Sequence, residues 1–158
     1  MRSLLIIIVF FLSFSTLASN GQIPPEQKLA LNYIHALTNN DMKKLSTFYS
    51  RESIFQDKTA DKKYVGRSHI LEFIHRAHEG LIEYKFTVEH MFNSGSLVVI
   101  VGSYSYKGLG RLFGKPGKVI NISVSGVTTL DVDVKNHRIK KHVDMIDYQT
   151  MNDQLEVQ

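Results

Sequence analysis

The chain contains no cysteine. That absence excludes disulfides, thiol nucleophiles and thiolate metal sites, so 158 residues must hold together through an ordinary apolar core. It also removes the residue that bacterial lipid attachment behind a leader would need. Clustered positive charge is missing too. Lys and Arg outnumber Asp and Glu by 19 to 15, but they are scattered, with short pairs at 43–44, 62–63 and 140–141. Nucleic-acid binders group such residues and interleave stacking aromatics, so a nucleic-acid partner is not expected and the charges read as a solvated surface. Neither a repeat nor a low-complexity segment occurs, and there is one long apolar run only.

That run, Leu4–Leu12, follows Arg2 and precedes small residues ending in Ala18 and Ser19. At roughly 20 residues per spanning helix it is too short to cross a bilayer comfortably. It reads as a signal peptide over residues 1–19, which predicts a secreted or periplasmic protein with no stable membrane anchor after cleavage. Removing Arg2 takes the formal charge from +4 to +3, leaving a mildly basic domain over 20–158, with its core at about 26–155.

The order of periodicities sets the fold class. Pro25 suits the first turn of a helix in which Ala30, Tyr33, Ile34 and Leu37 form a buried stripe. Asn40 or Asp41 caps a second helix carrying Met42, Leu45, Phe48 and Tyr49 on one face. A third begins near Ser68, turns Ile70, Phe73, Ile74 and Ala77 inward, and stops at Gly80. The period then falls to two. Tyr84, Phe86, Val88, His90 and Phe92 alternate along one strand, and three more strands come after it, ending in "RIKKHVDMIDYQ" with a short polar tail. Helices first and an antiparallel meander after, without βαβ alternation, predict an α+β domain: three N-terminal helices packed in the concave face of a curved, mainly antiparallel sheet.

Three segments resemble the SnoaL-like polyketide cyclase and ketosteroid isomerase branch of the nuclear transport factor two-like superfamily, over about Glu26–Leu155. "NYIHALTNNDMKKLSTFYSRESIFQD" is similar to the isomerase opening, with Tyr33 and Asp57 at the matching positions. Asp57 to Gly66-Arg67 resembles the spacing between the isomerase base and its third helix. "GRLFGKPGKVINISVSG" and "HVDMIDYQTMNDQL" look like the cyclase loop and closing segment, Asp147 standing seven residues before Gln154-Leu155. The resemblance implies a cone-shaped fold, acid/base work for Asp57 and Asp147, and an oxyanion-donating hydroxyl on Tyr33. One departure is plain. Where the isomerases carry a second acid, "SVSGVTT" offers Ser125, Gly126 or Thr128 and no carboxylate.

The residues themselves leave two readings for each position. Phe55 and Asp57 share a side of a short strand, so Asp57 either enters the apolar interior or ends the strand, capping a turn or pairing with Lys58, Lys62 or Arg67. In the last strand Ile139, Val143, Met145 and Asp147 share a face, with Lys141 the exception. Arg138, Lys140, His142 and Asp144 form the other, with Ile146 the exception there. Asp147 is therefore expected on the apolar side, as a functional or a structural carboxylate, and Asp144 in solvent. Tyr33 serves the core or an oxyanion, and His90 the core or catalysis. Phe55, Phe86, His90 and Tyr104 are the expected pocket residues.

His69, His75 and His78 share a helix without a completing ligand set, so no metal is expected. "GLGRLFGKPG" lacks the phosphate-loop pattern and reads as a mobile hairpin rim. No G-x-S-x-G accompanies the serines. Asn121-Ile122-Ser123 is a glycosylation sequon inside a strand, which we take as chance. The expectation is a pocket protein for a small apolar, polyketide- or steroid-like molecule, using no cofactor. Its chemistry would be acid/base isomerisation or cyclisation. The alternative is a non-catalytic member that binds a ligand or forms a homodimer through its sheet.

Overall fold

In the computed structural model, which describes residues 22–158, Pro25 opens helix α1 (Pro25–Thr38) and its missing N–H falls in the first turn. Leu29, Ala30, Tyr33, Ile34 and Leu37 recur at helical spacing and all are buried, so one stripe of α1 faces the sheet. Asn40, with φ at +53°, turns the chain, and Asp41 caps α2 (Met42–Phe48) by accepting from Lys44 N at 2.9 Å. The leader expected over 1–19 lies outside the described residues.

The first three helices do not run in succession. A hairpin, β1 (Ile54–Asp57) and β2 (Lys62–Val65), separates α2 from α3 (Arg67–His78). Strands β3 (Leu81–Ser94), β4 (Leu97–Leu109), β5 (Val119–Asp133) and β6 (Arg138–Ile146) complete a sheet ordered β2-β1-β6-β5-β4-β3. It is mixed, because β1 runs parallel to β6 while the other pairs are antiparallel. The glycine-rich rim between β4 and β5 holds a 3-10 turn, Gly110–Phe113.

The polar tail is a helix, α4 (Tyr148–Glu156). Tyr148, Met151 and Leu155 stand at i, i+3 and i+7 and pack on a cluster formed by Tyr104, Ile120, Ile122, Val124 and Ile146. A segment this short needs such a seat to be helical at all. Among the described residues no helix is long and apolar enough to cross a membrane.

Three register shifts interrupt the sheet, one at Ile82 where β3 begins and two later ones that invert the expected alternation. On β3, Val88 pairs with Gly102 and His90 with Val101, so Glu89 is the extra residue. On β6, Ile139 pairs with Val132 and Lys141 with Asp131, which makes Lys140 the extra one. Each insertion turns every later side chain to the opposite face. Beyond the first, His90 and Phe92 face outward, Phe92 with 55% of its surface exposed, against the expected alternation. Beyond the second, His142, Asp144 and Ile146 point inward and Met145 outward. Gly102 stands opposite the first bulge because a Cβ there would lie 2.2 Å from the Thr87 carbonyl oxygen.

Candidate active site

The bulge at Lys140 places Asp144 inside, with only 8% of its surface exposed, where the unbroken alternation put it in solvent. Its Oδ1 accepts from Thr128 Oγ1 at 2.6 Å and from Tyr104 OH at 2.9 Å. Among the described residues Oδ2 accepts no hydrogen bond. Tyr104 can lie across the sheet because residue 126 is glycine: a Cβ there would come within 2.9 Å of the Tyr104 ring.

Two residues earlier on the same face, His142 is fully buried. Its Nε2 is 2.7 Å from Asp144 Oδ1 but off the line of a hydrogen bond, so the contact is one of charge rather than a directed bond. Burial pushes the Asp144 pKa up, yet the His142 contact and the bonds from Thr128 and Tyr104 outweigh it and hold the carboxyl below its usual range. On its other side His142 Nδ1 meets Tyr33 OH at 2.6 Å, and Tyr33 OH bonds Tyr49 OH. Either hydroxyl can donate, so this chain follows the imidazole whichever nitrogen carries the proton.

Asp57 reaches the interior from β1, as its inward-facing reading expects, with 8% exposed. Oδ1 accepts from Ala60 N at 2.9 Å, ending the strand in a turn, and Oδ2 accepts from Tyr148 OH at the start of α4. Asp57 and Asp144 are register partners on parallel strands. Adjacent strands lie roughly 4.8 Å apart, so the two carboxyls stand side by side on one face.

Both line a cavity of about 260 Å³ between α3 and the sheet. Phe55, Phe73, Tyr84, Tyr104, Tyr106 and Tyr148 supply aromatic walls. Tyr84, Tyr104 and Tyr106 lie nearly parallel, with interplanar angles of 10–19°. Burial pushes all four tyrosine hydroxyls up, so they are neutral donors at physiological pH. His78 closes one side. Its Nδ1 donates to the Ile74 carbonyl at 2.8 Å, leaving Nε2 buried without a partner.

Of the seven residues expected at the site, Asp57, Phe55 and Tyr104 line the cavity. Tyr33 does not, because its hydroxyl is spent behind the wall on His142 and Tyr49. Phe86 stands behind Tyr104, with ring centroids 4.4 Å apart. His90 is turned outward by the β3 bulge. Asp147 is exposed and caps α4, its Oδ1 accepting from Thr150 N at 3.0 Å and its Oδ2 from Thr150 Oγ1 at 2.7 Å. Those bonds hold its pKa below the usual range.

Sequence reasoning missed Asp144, His142, Tyr148, Tyr84 and Tyr106. The readable signal was Lys140-Lys141, two adjacent polar residues breaking an alternation, with Ile146 then out of phase. The three helical histidines do not converge: His69 turns to the Val65 carbonyl, His78 to that of Ile74, and His75 is exposed.

Comparison with other proteins agrees with this frame. A solved structure from Shewanella putrefaciens CN-32, described as a SnoaL-like polyketide cyclase, is 55% identical; the match covers 87% of this chain and all of that one, with a TM-score of 0.85. A counterpart from Shewanella denitrificans OS-217 is 54% identical over 86% of this chain and all of its own, with a TM-score of 0.83. An epoxide hydrolase-like protein of M. tuberculosis, 15% identical over 84% of this chain and 90% of its own, shares the fold alone at a TM-score of 0.64. No curated protein matches. The sequence profile named SnoaL-like polyketide cyclase matches residues 27–155, nearly the whole of the described fold. With that match, the two close structural relatives and a cone built from the same elements, the chain belongs to the SnoaL-like polyketide cyclase family.

Proposed function

We propose that the protein takes a small, largely apolar ring compound into the tyrosine-lined cavity and moves a proton on it without a cofactor. The observation that carries this reading is Asp144: a buried carboxylate with one oxygen fixed by Thr128 and Tyr104, the other left unbonded among the described residues, and an aromatic cavity beside it. Proton abstraction next to a carbonyl needs an acceptor held in place and donors for the enolate oxygen. Asp144 Oδ2 takes the proton, and the neutral hydroxyls of Tyr84 and Tyr106 are the donors in reach of a bound carbonyl, the part expected of Tyr33. A cavity of about 260 Å³ falls just under the ~300–1,000 Å³ of common ligand sites, which favours one or two rings over a larger skeleton.

Deuterium exchange at the α-carbon of ring ketones such as 2-tetralone, followed by NMR in D2O, tests it. The expected result is protein-dependent exchange that falls at least ~100-fold in Asp144→Asn. A second reading, binding without catalysis, is favoured by one observation: a carboxyl held below its usual range is a weak proton acceptor. Binding of the ketones with no exchange above buffer would select it.

Two further parts of the proposal concern place and assembly. Export rests on the apolar run Leu4–Leu12 ahead of Ala18; an intact mass retaining Met1 would refute it. A homodimer through the sheet rests on an apolar row across its outer face, Phe92, Val99, Val101, Val127 and Met145, of which Phe92 and Met145 are 55% and 42% exposed. Sedimentation showing only monomer at micromolar concentration would refute that.

A further inference from the structure

The cavity brings two carboxyls together on one face. Asp57 is the sharper case. It is almost buried, yet its only hydrogen-bond partners are neutral, the Ala60 amide and the Tyr148 hydroxyl. Among the described residues it forms no ion pair. Lys62 stands opposite it in register on β2 but is exposed and does not reach it. No Lys or Arg lines the cavity. A second carboxyl, Asp144, stands beside Asp57, and His78 Nε2 is buried without a partner. A buried carboxylate without a cation is costly unless something supplies one.

The walls suit a cation as well as an apolar skeleton. Aromatic ring faces attract ammonium groups through their quadrupole, most strongly where water is excluded. Tyr84 and Tyr106 stack with centroids 4.8 Å apart, and Phe55, on the same strand as Asp57, packs on Phe73 at 5.1 Å. We infer that the ligand is a small organic cation: an ammonium group seated between Asp57 and the tyrosine rings, on an apolar skeleton that lies toward Phe55 and Phe73. This rests on the cavity being the ligand site and assigns Asp57 to recognition, leaving Asp144 the proton-transfer part.

The test compares three near-isosteric probes on the purified protein at pH 7 by calorimetry: protonated N,N-dimethylbenzylamine, neutral isobutylbenzene and anionic phenylacetate. The expected order is the amine tightest, about tenfold or more over isobutylbenzene, and phenylacetate weakest. Asp57→Asn should remove the preference while leaving isobutylbenzene binding unchanged. Should that variant not fold, the wild-type preference still decides, together with shifts of the Tyr84 and Tyr106 ring resonances on adding the amine. Equal affinity for amine and isobutylbenzene overturns the inference and leaves the cavity as a ligand site. Binding of none overturns both. Amine selectivity without ketone exchange sustains this inference and removes only the catalytic reading.

Discussion

The interior of the cone has a closed end and an open end, built from the same kinds of group. At the closed end Tyr33, Tyr49 and His142 form an unbroken chain of polar contacts and are not among the residues that line the cavity. At the open end Asp57, Asp144, Tyr104 and Tyr148 face a cavity, and His78 Nε2 is buried there without a partner. A buried hydrogen bond contributes about 0.5–1.5 kcal/mol net, and a buried polar group without a partner is expensive. The closed end therefore keeps the fold, and the open end holds the unspent capacity that a ligand can use. His142 joins them, touching Tyr33 with one nitrogen and Asp144 with the other.

Breaking that joint should have the largest effect. His142→Leu preserves much of the volume but takes one partner from both the Tyr33 hydroxyl and the Asp144 carboxylate. Removing one partner of a buried charged contact costs about 3–5 kcal/mol, so we expect a loss of that size in urea unfolding. A loss under about 1 kcal/mol would mean that the closed end does not carry the fold. Tyr33→Phe, which keeps the ring against Phe48 and Tyr49, should cost less, about 1–2 kcal/mol, and leave cavity binding untouched.

Asp144 separates the two ends by pH. Its folded-state pKa lies below the unfolded value, so its contribution is present above the unfolded carboxylate pKa of ~3.9 and is lost as pH falls through the folded one. Wild type should lose this part of its stability on acidification below about pH 4, and Asp144→Asn should flatten that part of the curve. The same substitution should cost about 1–3 kcal/mol at pH 7. A curve unchanged by the mutation would place Asp144 outside the His142 contact.

The contrast also marks where sequence reading works. The helical stripes of α1 and α3, the meander β3–β6 and one of the two readings left for Asp57 were legible because a period of 3.6 or 2 survives as long as the backbone is regular. The hairpin β1–β2 and its parallel pairing with β6 were not. The closed end was half legible: Tyr33 lay on a buried stripe, but nothing local said that His142 would meet it, 109 residues away. The open end was lost at two backbone insertions. Glu89-His90 and Lys140-Lys141 each put two polar residues in a row, and past each one the phase inverts. That exchanged Asp144 for Asp147 and sent His90 outward. Helix α4 escaped notice because its apolar spacing is sparse, and it needs the sheet beneath it to become a helix.

The smallest expected effect is the strictest test of that inversion. Asp147 and Asp144 are three residues apart, and only one can face the cavity. In this structure Asp147 is an exposed cap, and asparagine caps a helix about as well as aspartate does. Asp147→Asn should therefore leave thermal stability, ligand binding and ketone exchange within error of wild type. The capping bonds to Thr150 use side-chain oxygen as acceptor, and Asn retains one such oxygen for the Thr150 amide. Asp144→Asn should disturb all three. Should the pattern reverse, with exchange lost in Asp147→Asn and kept in Asp144→Asn, the strand must run without its bulge at Lys140. The unbroken alternation of Ile139, Val143, Met145 and Asp147 would then be the true inner face, and the cavity between α3 and the sheet would belong to a register the protein does not use.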